Sequence, residues 1–256
     1  MVTVQDILDF LQAVAPAELK MDWDNVGLLC GEASKEVKTV LVALDPFTAV
    51  CEEAAEKGAD LLLTHHPVIF QPLANITDET TVGRAVMTLI RNDIAAVNAH
   101  TNLDCADGGV NDVLASKLGL ADIRKVDGDP DGLLRQGTVK QQSLADFMVN
   151  VKVALDCNGL RYADGGKPVN RVAVGGGSCG SAMYDVLDAG CDTFVTADVK
   201  YNQFCDAKAL GLNLIDAGHF PTENPVIPHL AAKLQAAFPE ISVIVSEKHT
   251  DSVKFF

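Results

Sequence analysis

What this chain has little of rules out much of what it could do. Basic residues are scarce, 20 Lys+Arg against 35 Asp+Glu, giving a formal net charge of −15 over 256 residues. Phosphate backbones are bound by basic surfaces that gain from counterion release, so nucleic acid is excluded as a partner. A small anionic substrate held at a metal is not. No apolar run approaches the roughly 18 residues that a membrane span needs, which excludes a spanning helix, and no membrane partner is expected. The seven cysteines, at 30, 51, 105, 157, 179, 191 and 205, contain no C-x-x-C, and their number is odd. Several stand in apolar or helical runs, where Cys behaves as a small hydrophobe. Free thiols in a reducing compartment are therefore expected. Met1 to Ala15 carries two aspartates and no basic residue, unlike a secretory signal. The expectation is a soluble, cytoplasmic protein.

Apolar content is ample at 48%, enough for one large core or two modest ones. Val4, Ile7, Leu8, Leu11 and Val14 repeat at helical spacing, with Thr3 placed to cap the helix. A polar loop through Asp22 then runs into a short strand ending near Gly31. Strands are predicted over 37–44, 61–63 and 94–98, and helices over 48–57, 82–91 and 110–118. The fully apolar Leu61 to Leu63 fits a sheet covered on both faces. The alternation implies parallel strands with helical crossovers, an α/β fold. It recurs as strands 171–174, 193–196, 214–215 and 241–245 with helices 181–189, 202–210 and 225–238. Turn-rich Asp127-Gly-Asp-Pro-Asp-Gly132 opens a stretch expected to hold a strand, a helix over 143–155 and a loop. Two structurally similar α/β halves are expected, 1–126 and 169–256, with 127–168 connecting them.

The repeat is explicit in the residues. Gly58-Ala-Asp-Leu-Leu-Leu-Thr-His-His-Pro67 recurs without its histidines when Gly190 is placed on Gly58, an offset of 132 residues. Val172 falls on Val40, Asp192 on Asp60 and Thr196 on Thr64, and His65 and His66 meet Ala197 and Asp198. Further on, His100-x-x-x-Asp104 matches His219-x-x-x-Glu223 at an offset of 119, the 13-residue difference fitting a longer loop through Gln71 to Thr81. Ligands in α/β sheets collect at the carboxyl ends of strands. A His/carboxylate cluster rebuilt from two halves therefore points to a metal site at their interface. Neighbouring side chains of extended chain point to opposite sides, so His65 and His66 could serve two ions better than chelate one. Thr222 is placed to cap the next helix, putting Glu223 in its first turn, where the helix N-terminus favours a carboxylate. As bland alternatives, Asp104 and Glu223 would be mere caps and the His65-His66 pair structural. Imidazole and carboxylate donors suit Zn, Fe(II), Mn or Co. Two such ions roughly 3.5–4 Å apart can share a carboxylate and activate water, and Glu223, with the longer arm, is the expected bridge.

Other features carry less. Gly175-Gly-Gly-Ser-Cys-Gly180 satisfies G-x-G-x-x-G after a strand. The other copy has Asp45-Pro46 at Gly177-Ser178, and no acidic residue stands cleanly about 20 positions on. A glycine-rich wall is preferred to a dinucleotide loop. Asp198-Val-Lys200-Tyr201 is either a surface loop or a source of Lys200 or Tyr201 for an anionic substrate. His229 is expected to be structural, and spacing leaves His249 unplaced.

Taken together, these motifs resemble the Nif-three-like proteins, often named GTP cyclohydrolase I type 2 homologues, over nearly the whole length. The resemblance rests on Asp24-Asn-Val-Gly-Leu28, Leu63-Thr-His-His-Pro-Val-Ile-Phe70, His100-Thr-Asn-Leu-Asp104 with Gly108-Gly-Val-Asn-Asp112, Val174-Gly-Gly-Gly177, Thr196-Ala-Asp-Val-Lys-Tyr201 and Asp216-Ala-Gly-His-Phe-Pro-Thr-Glu223. It implies two divalent ions per chain on His65, His66, Asp104, His219 and Glu223, with His100 beside the site. It also implies a toroidal homohexamer, and a metal-dependent hydrolase acting on a nucleotide-like small molecule by attack at a purine C8. A non-enzymatic metal-delivery or regulatory interaction protein would use the same ligands. Two departures stand out: Asn202 replaces a histidine common after the second loop's Lys-Tyr, and Asp251 is followed by Ser-Val rather than Pro-Phe.

Overall fold

Thr3 caps the first helix, Val4–Val14, through a reciprocal box: its hydroxyl accepts from the Asp6 amide at 3.3 Å, and the Asp6 carboxylate accepts from the Thr3 amide at 2.8 Å. Val4, Ile7 and Leu11 are its buried positions, as their spacing predicts. The computed structural model describes residues 1–256. Contacts divide the chain into two units, Met1–Ala106 with Ile227–Thr250, and Asp107–Val226 with Asp251–Phe256.

In the first unit, Thr39–Ala43, Leu61–Thr64 and Ala95–Asn98 run parallel, in register from Val40↔Leu61 through Thr64↔Asn98. Helices Thr48–Glu56 and Thr81–Arg91 form the crossovers. Leu41, Leu62 and Ala96 pack with Val50, Ala54, Val86 and Leu89 on one face, while Val40, Val42, Leu61 and Leu63 are buried facing the other way. Burial on both faces explains why Leu61–Leu63 shows no polar alternation. Each such side chain removed from water contributes about 1.5–3 kcal/mol. Gly27–Cys30 closes one edge, antiparallel to Ala95–Asn98. The other edge is closed by Ser242–Val245, parallel to Thr39–Ala43. The sequence pattern assigned that last strand to the second repeat, because periodicity identifies a strand without naming its partner.

The second unit repeats the scheme with Val169–Val174, Thr193–Thr196 and Asn213–Asp216 in parallel. Its two cores lie on the two sheet faces, Val172, Val174, Val195 and Ile215 in one, Ala173, Phe194 and Leu214 in the other. Arg135–Gln142 pairs antiparallel with Val169–Val174, and Ala121–Lys125, which the sequence pattern misses, pairs with it in turn. Where a loop was expected, Arg161–Ala163 forms a short strand on Asn213–Asp216. The helix predicted over 181–189 begins with a 3-10 turn, Gly180–Ala182, and only Met183–Asp188 is α-helical. No helix of either unit is long and apolar enough to cross a membrane.

Backbone pairing corrects the repeat by one residue. Thr64 pairs with Asn98 and Thr196 with Asp216, so the third strands correspond at an offset of 118, from Asn98 to Asp216. The helices that follow, Thr101–Cys105 and His219–Glu223, keep that offset. His100 precedes its helix, whereas His219 is the first residue of its own. Matching like residues gave 119; hydrogen bonds, which match positions, do not. One step turns a helical side chain by about 100° at 3.6 residues per turn, so His100 and His219 are not equivalent in direction.

Candidate metal centre

In the first unit, His65 follows the buried strand Leu61–Thr64 and is itself fully buried. Its amide donates to Ala43 O at 3.2 Å, and that of His66 to Leu44 O at 2.8 Å, so the ladder continues under both rings. His65 Nδ1 lies 2.8 Å from Ala99 O. A carbonyl can only accept, so the proton is on Nδ1 and the Nε2 lone pair points the other way, to within 3.5 Å of Asp104 Oδ1. His66 Nδ1 is held by Asp45 Oδ1 at 2.7 Å, and His100 Nδ1 by Asp24 Oδ1 at 2.8 Å. The rings of His65 and His66 are 4.9 Å apart, so adjacency does not separate them as extended geometry predicted. Donor nitrogens of His65, His66 and His100 all lie within 4.8 Å of one another. Asp104 sits in the short helix Thr101–Cys105 with its side chain largely buried.

Asp24 anchors this arrangement. Burial opposes its ionisation, but hydrogen bonds from His100 and Thr101 outweigh that and hold its carboxyl well below the usual carboxylate range. Asp45 lies on a second histidine as well. His249 is buried, its Nε2 accepting from the Leu44 amide at 3.2 Å and standing 3.8 Å from Asp45 Oδ2. Burial pushes the His249 imidazole below its ordinary value, with the Asp45 charge acting in the opposite direction.

In the second unit, His219 and Glu223 stand one turn apart on the helix His219–Glu223, with Nε2 3.0 Å from Glu223 Oε2. His219 Nδ1 is held by Asp198 Oδ2 at 2.7 Å. Asp198 adopts a left-handed φ of 53°, unusual for a residue with a Cβ. Asp216 fixes the loop around it, accepting from the Val199 amide at 3.0 Å and the Gly218 amide at 3.1 Å and pairing with Arg161. Thr222 is not a cap as predicted. It lies inside the helix, where its hydroxyl bonds Gly218 O at 2.9 Å and His219 O at 2.8 Å. Glu223 therefore ends its helix instead of beginning the next.

The glycine run serves this carboxylate. The Gly176 amide donates to Asn111 Oδ1 at 2.7 Å and the Gly177 amide to Thr222 Oγ1 at 3.1 Å, so neither amide is left to cradle a phosphate. A Cβ on Gly177 would collide with Glu223 Oε1 and lie 3.2 Å from His219 Nε2; one on Gly176 would stand 3.2 Å from Glu223 Cγ. Lys200 and Tyr201 project into solvent, Tyr201 being 84% exposed. It is Asp198 from that loop that reaches the histidine. His229 lies on an exposed face of its helix rather than in a core. Sequence reasoning missed Asp24, Asp45 and Asp198. The available signal was an acidic residue in a loop beside a strand, before Gly27–Cys30 for Asp24 and after a strand for Asp45 and Asp198, which spacing alone does not distinguish from ordinary turns.

The structure thus holds His and Glu groups that could bind a metal ion. A Clostridium perfringens protein named GTP cyclohydrolase 1 type 2 homolog is 36% identical over 259 residues, spanning 98% of this chain and 99% of that one. A hypothetical protein of Staphylococcus aureus, at 28% identity, superposes with a TM-score of 0.91 over 99% of both chains. A Bacillus cereus protein related to NIF3 does so with 0.91 at 26% identity, over 100% and 99%. The family model for Duf34/NIF3 (NGG1p interacting factor 3) matches residues 2–252, and the chain belongs to that family.

Proposed function

We propose that His65, His66, Asp104, His219 and Glu223 hold two divalent ions per chain, and that the protein is a metal-dependent hydrolase of a nucleotide-like small molecule. The observation that carries this reading is common to the three histidines. Each has Nδ1 tied to a carbonyl or carboxylate, Ala99 O, Asp45 or Asp198, which leaves Nε2 as the donor. Metal-ligating histidines show this outer support, and it fixes both tautomer and ring direction. The fit extends to the glycines, since Gly177 leaves room for the Glu223 carboxylate that a Cβ would obstruct. An imidazole and carboxylate set selects Zn, Fe(II), Mn or Co over Ca or Cu(I).

Ions bound there would supply Lewis acidity, polarising a substrate oxygen and acidifying water. The chain's own contribution is orientation. Asp45 and Asp198 hold two imidazoles, and Asp24 places His100 beside the other rings. Glu223 is assigned the bridge, so Glu223→Gln should lose both ions, while a single histidine variant loses mainly one. Elemental analysis reads this directly, and two equivalents retained in Glu223→Gln would reassign the bridge. Turnover is tested with GTP and related nucleotides on metal-loaded protein; no reaction with any of them removes the hydrolase reading. The resemblance to Nif-three-like proteins also supports a homohexamer, and the seven free thiols support a reducing, cytoplasmic setting.

A further inference from the structure

The chain's one tryptophan is its most conspicuous exposed apolar side chain near the candidate centre. Trp23 is 61% exposed and Phe70 43%. Their rings meet edge to face, with centroids 5.9 Å apart and planes at 75°. Both also meet the His100 ring, Trp23 at 6.3 Å and Phe70 at 6.1 Å. His100 in turn lies 5.2 Å from the His65 ring and 5.4 Å from that of His66. Two open aromatic rings therefore stand one imidazole away from two proposed metal ligands.

The loop that presents Trp23 is fixed, not slack. On one side, the Met21 amide donates to Thr101 Oγ1 at 3.0 Å, and Asp24 is bound by His100 and by the Thr101 amide at 3.0 Å. On the other, Asn25 Nδ2 donates to Ile69 O at 2.7 Å, tying the Trp23 loop to the Phe70 loop. A tryptophan kept in water by a pinned backbone leaves a large apolar face unburied, and such a face beside a polar cluster marks a binding surface. A flat ring is the group that such a face takes best, because stacking is indifferent to sequence of substituents and needs only a π-surface.

We infer that Trp23 and Phe70 recognise the planar base of the nucleotide-like substrate, setting it against His100 so that the reacting end lies over His65 and His66. This rests on the hydrolase reading above, and it makes Trp23 a binding residue and His100 a positioning residue instead of a metal ligand. The single tryptophan makes the test site-specific. Trp23 fluorescence is titrated with GMP and with ribose 5-phosphate, which carries the same phosphate and no base, on metal-free and zinc-loaded protein. Saturable quenching by GMP and none by ribose 5-phosphate is the expected result. Calorimetry should show GMP binding weakened about tenfold or more in Trp23→Ala and partly restored in Trp23→Phe, with zinc content unchanged in both. Equal binding of the two probes, or unaltered GMP affinity in Trp23→Ala, overturns the inference. So does a blue-shifted emission insensitive to acrylamide, which would mean that another copy of the chain covers the ring. Because quenching reads binding rather than turnover, GMP recognition without hydrolysis retains this inference while removing the hydrolase reading. Hydrolysis without quenching does the reverse.

Discussion

His65, His66, His100 and His219 share one device, a proton parked on Nδ1 by an oxygen, and its strength can be measured residue by residue. Asp198→Ala removes the oxygen that holds His219, and Asp45→Ala the one that holds His66. Loss of such outer partners lowers metal affinity about 10- to 100-fold, so competition titration with a chromogenic chelator should show a drop of that size in each variant. Unchanged affinity would mean that the aspartates merely pair with surface histidines. Gly177→Ala is expected to be harsher, because the new Cβ meets Glu223 and the backbone sits at φ +64°. It should lose metal and also melt lower, the left-handed strain alone being about 1 kcal/mol or more, with elemental analysis and thermal scanning as the two readouts. These residues divide cleanly by how they could be found. His65, His66, His219 and Glu223 stand in a repeat that the sequence displays openly. Asp24, Asp45 and Asp198 act on partners 76, 21 and 21 positions away, and no period or motif in a single sequence links such pairs.

Among the elements, the C-terminal turn has a stability that follows pH. Buried Glu53 accepts from the Glu247 amide at 2.9 Å, the Lys248 amide at 3.2 Å and the Ser246 hydroxyl, and pairs with Lys57 at 3.3 Å. Burial opposes its ionisation, yet these bonds prevail and hold its carboxyl below the ordinary glutamate value. A carboxyl depressed in the folded state stabilises it above the unfolded value, about pH 4.3, and that contribution fades as pH falls through the folded value. Residues 246–249 should therefore lose amide protection as pH falls below about 4.3 while the strand Leu61–Thr64 keeps it, as hydrogen exchange would show. Glu53→Gln should loosen the same residues already at neutral pH, and identical protection across pH in the parent chain would refute the assignment. His249, in that turn, was unplaced by spacing and is placed by the Leu44 amide. The helices and parallel strands were readable because burial on one or both faces writes a period. The short strands Ala121–Lys125 and Arg161–Ala163 were not, being largely exposed edges with no apolar pattern to betray them. Thr222 misled for a related reason: a threonine before a carboxylate resembles a cap whether or not a helix has already begun.

Each unit has its own apolar core made without any proposed ligand, Leu41, Leu62 and Leu89 in one and Val172, Phe194 and Leu214 in the other. Stripping divalent ions with a chelator is therefore expected to leave far-UV circular dichroism intact and to lower the melting temperature by mass action, about 2.7 kcal/mol for an ion present at a hundredfold excess over its Kd. Collapse of the helical signal on chelation would show that the ions are structural. The order in which the chain supplies the first sheet has a consequence for its birth on the ribosome. Thr39–Ala43 finds its outer neighbour, Ser242–Val245, only after all of Asp107–Val226 has been made. At roughly 5–20 residues per second, synthesis from Ala43 to Ser242 takes on the order of ten to forty seconds. Throughout that time a buried-type strand, Thr-Val-Leu-Val-Ala, offers a bare row of amides and carbonyls to whatever passes, and unpaired apolar edges recruit other strands. Nascent chains stalled before residue 242 should accordingly demand chaperone cover that finished chains do not.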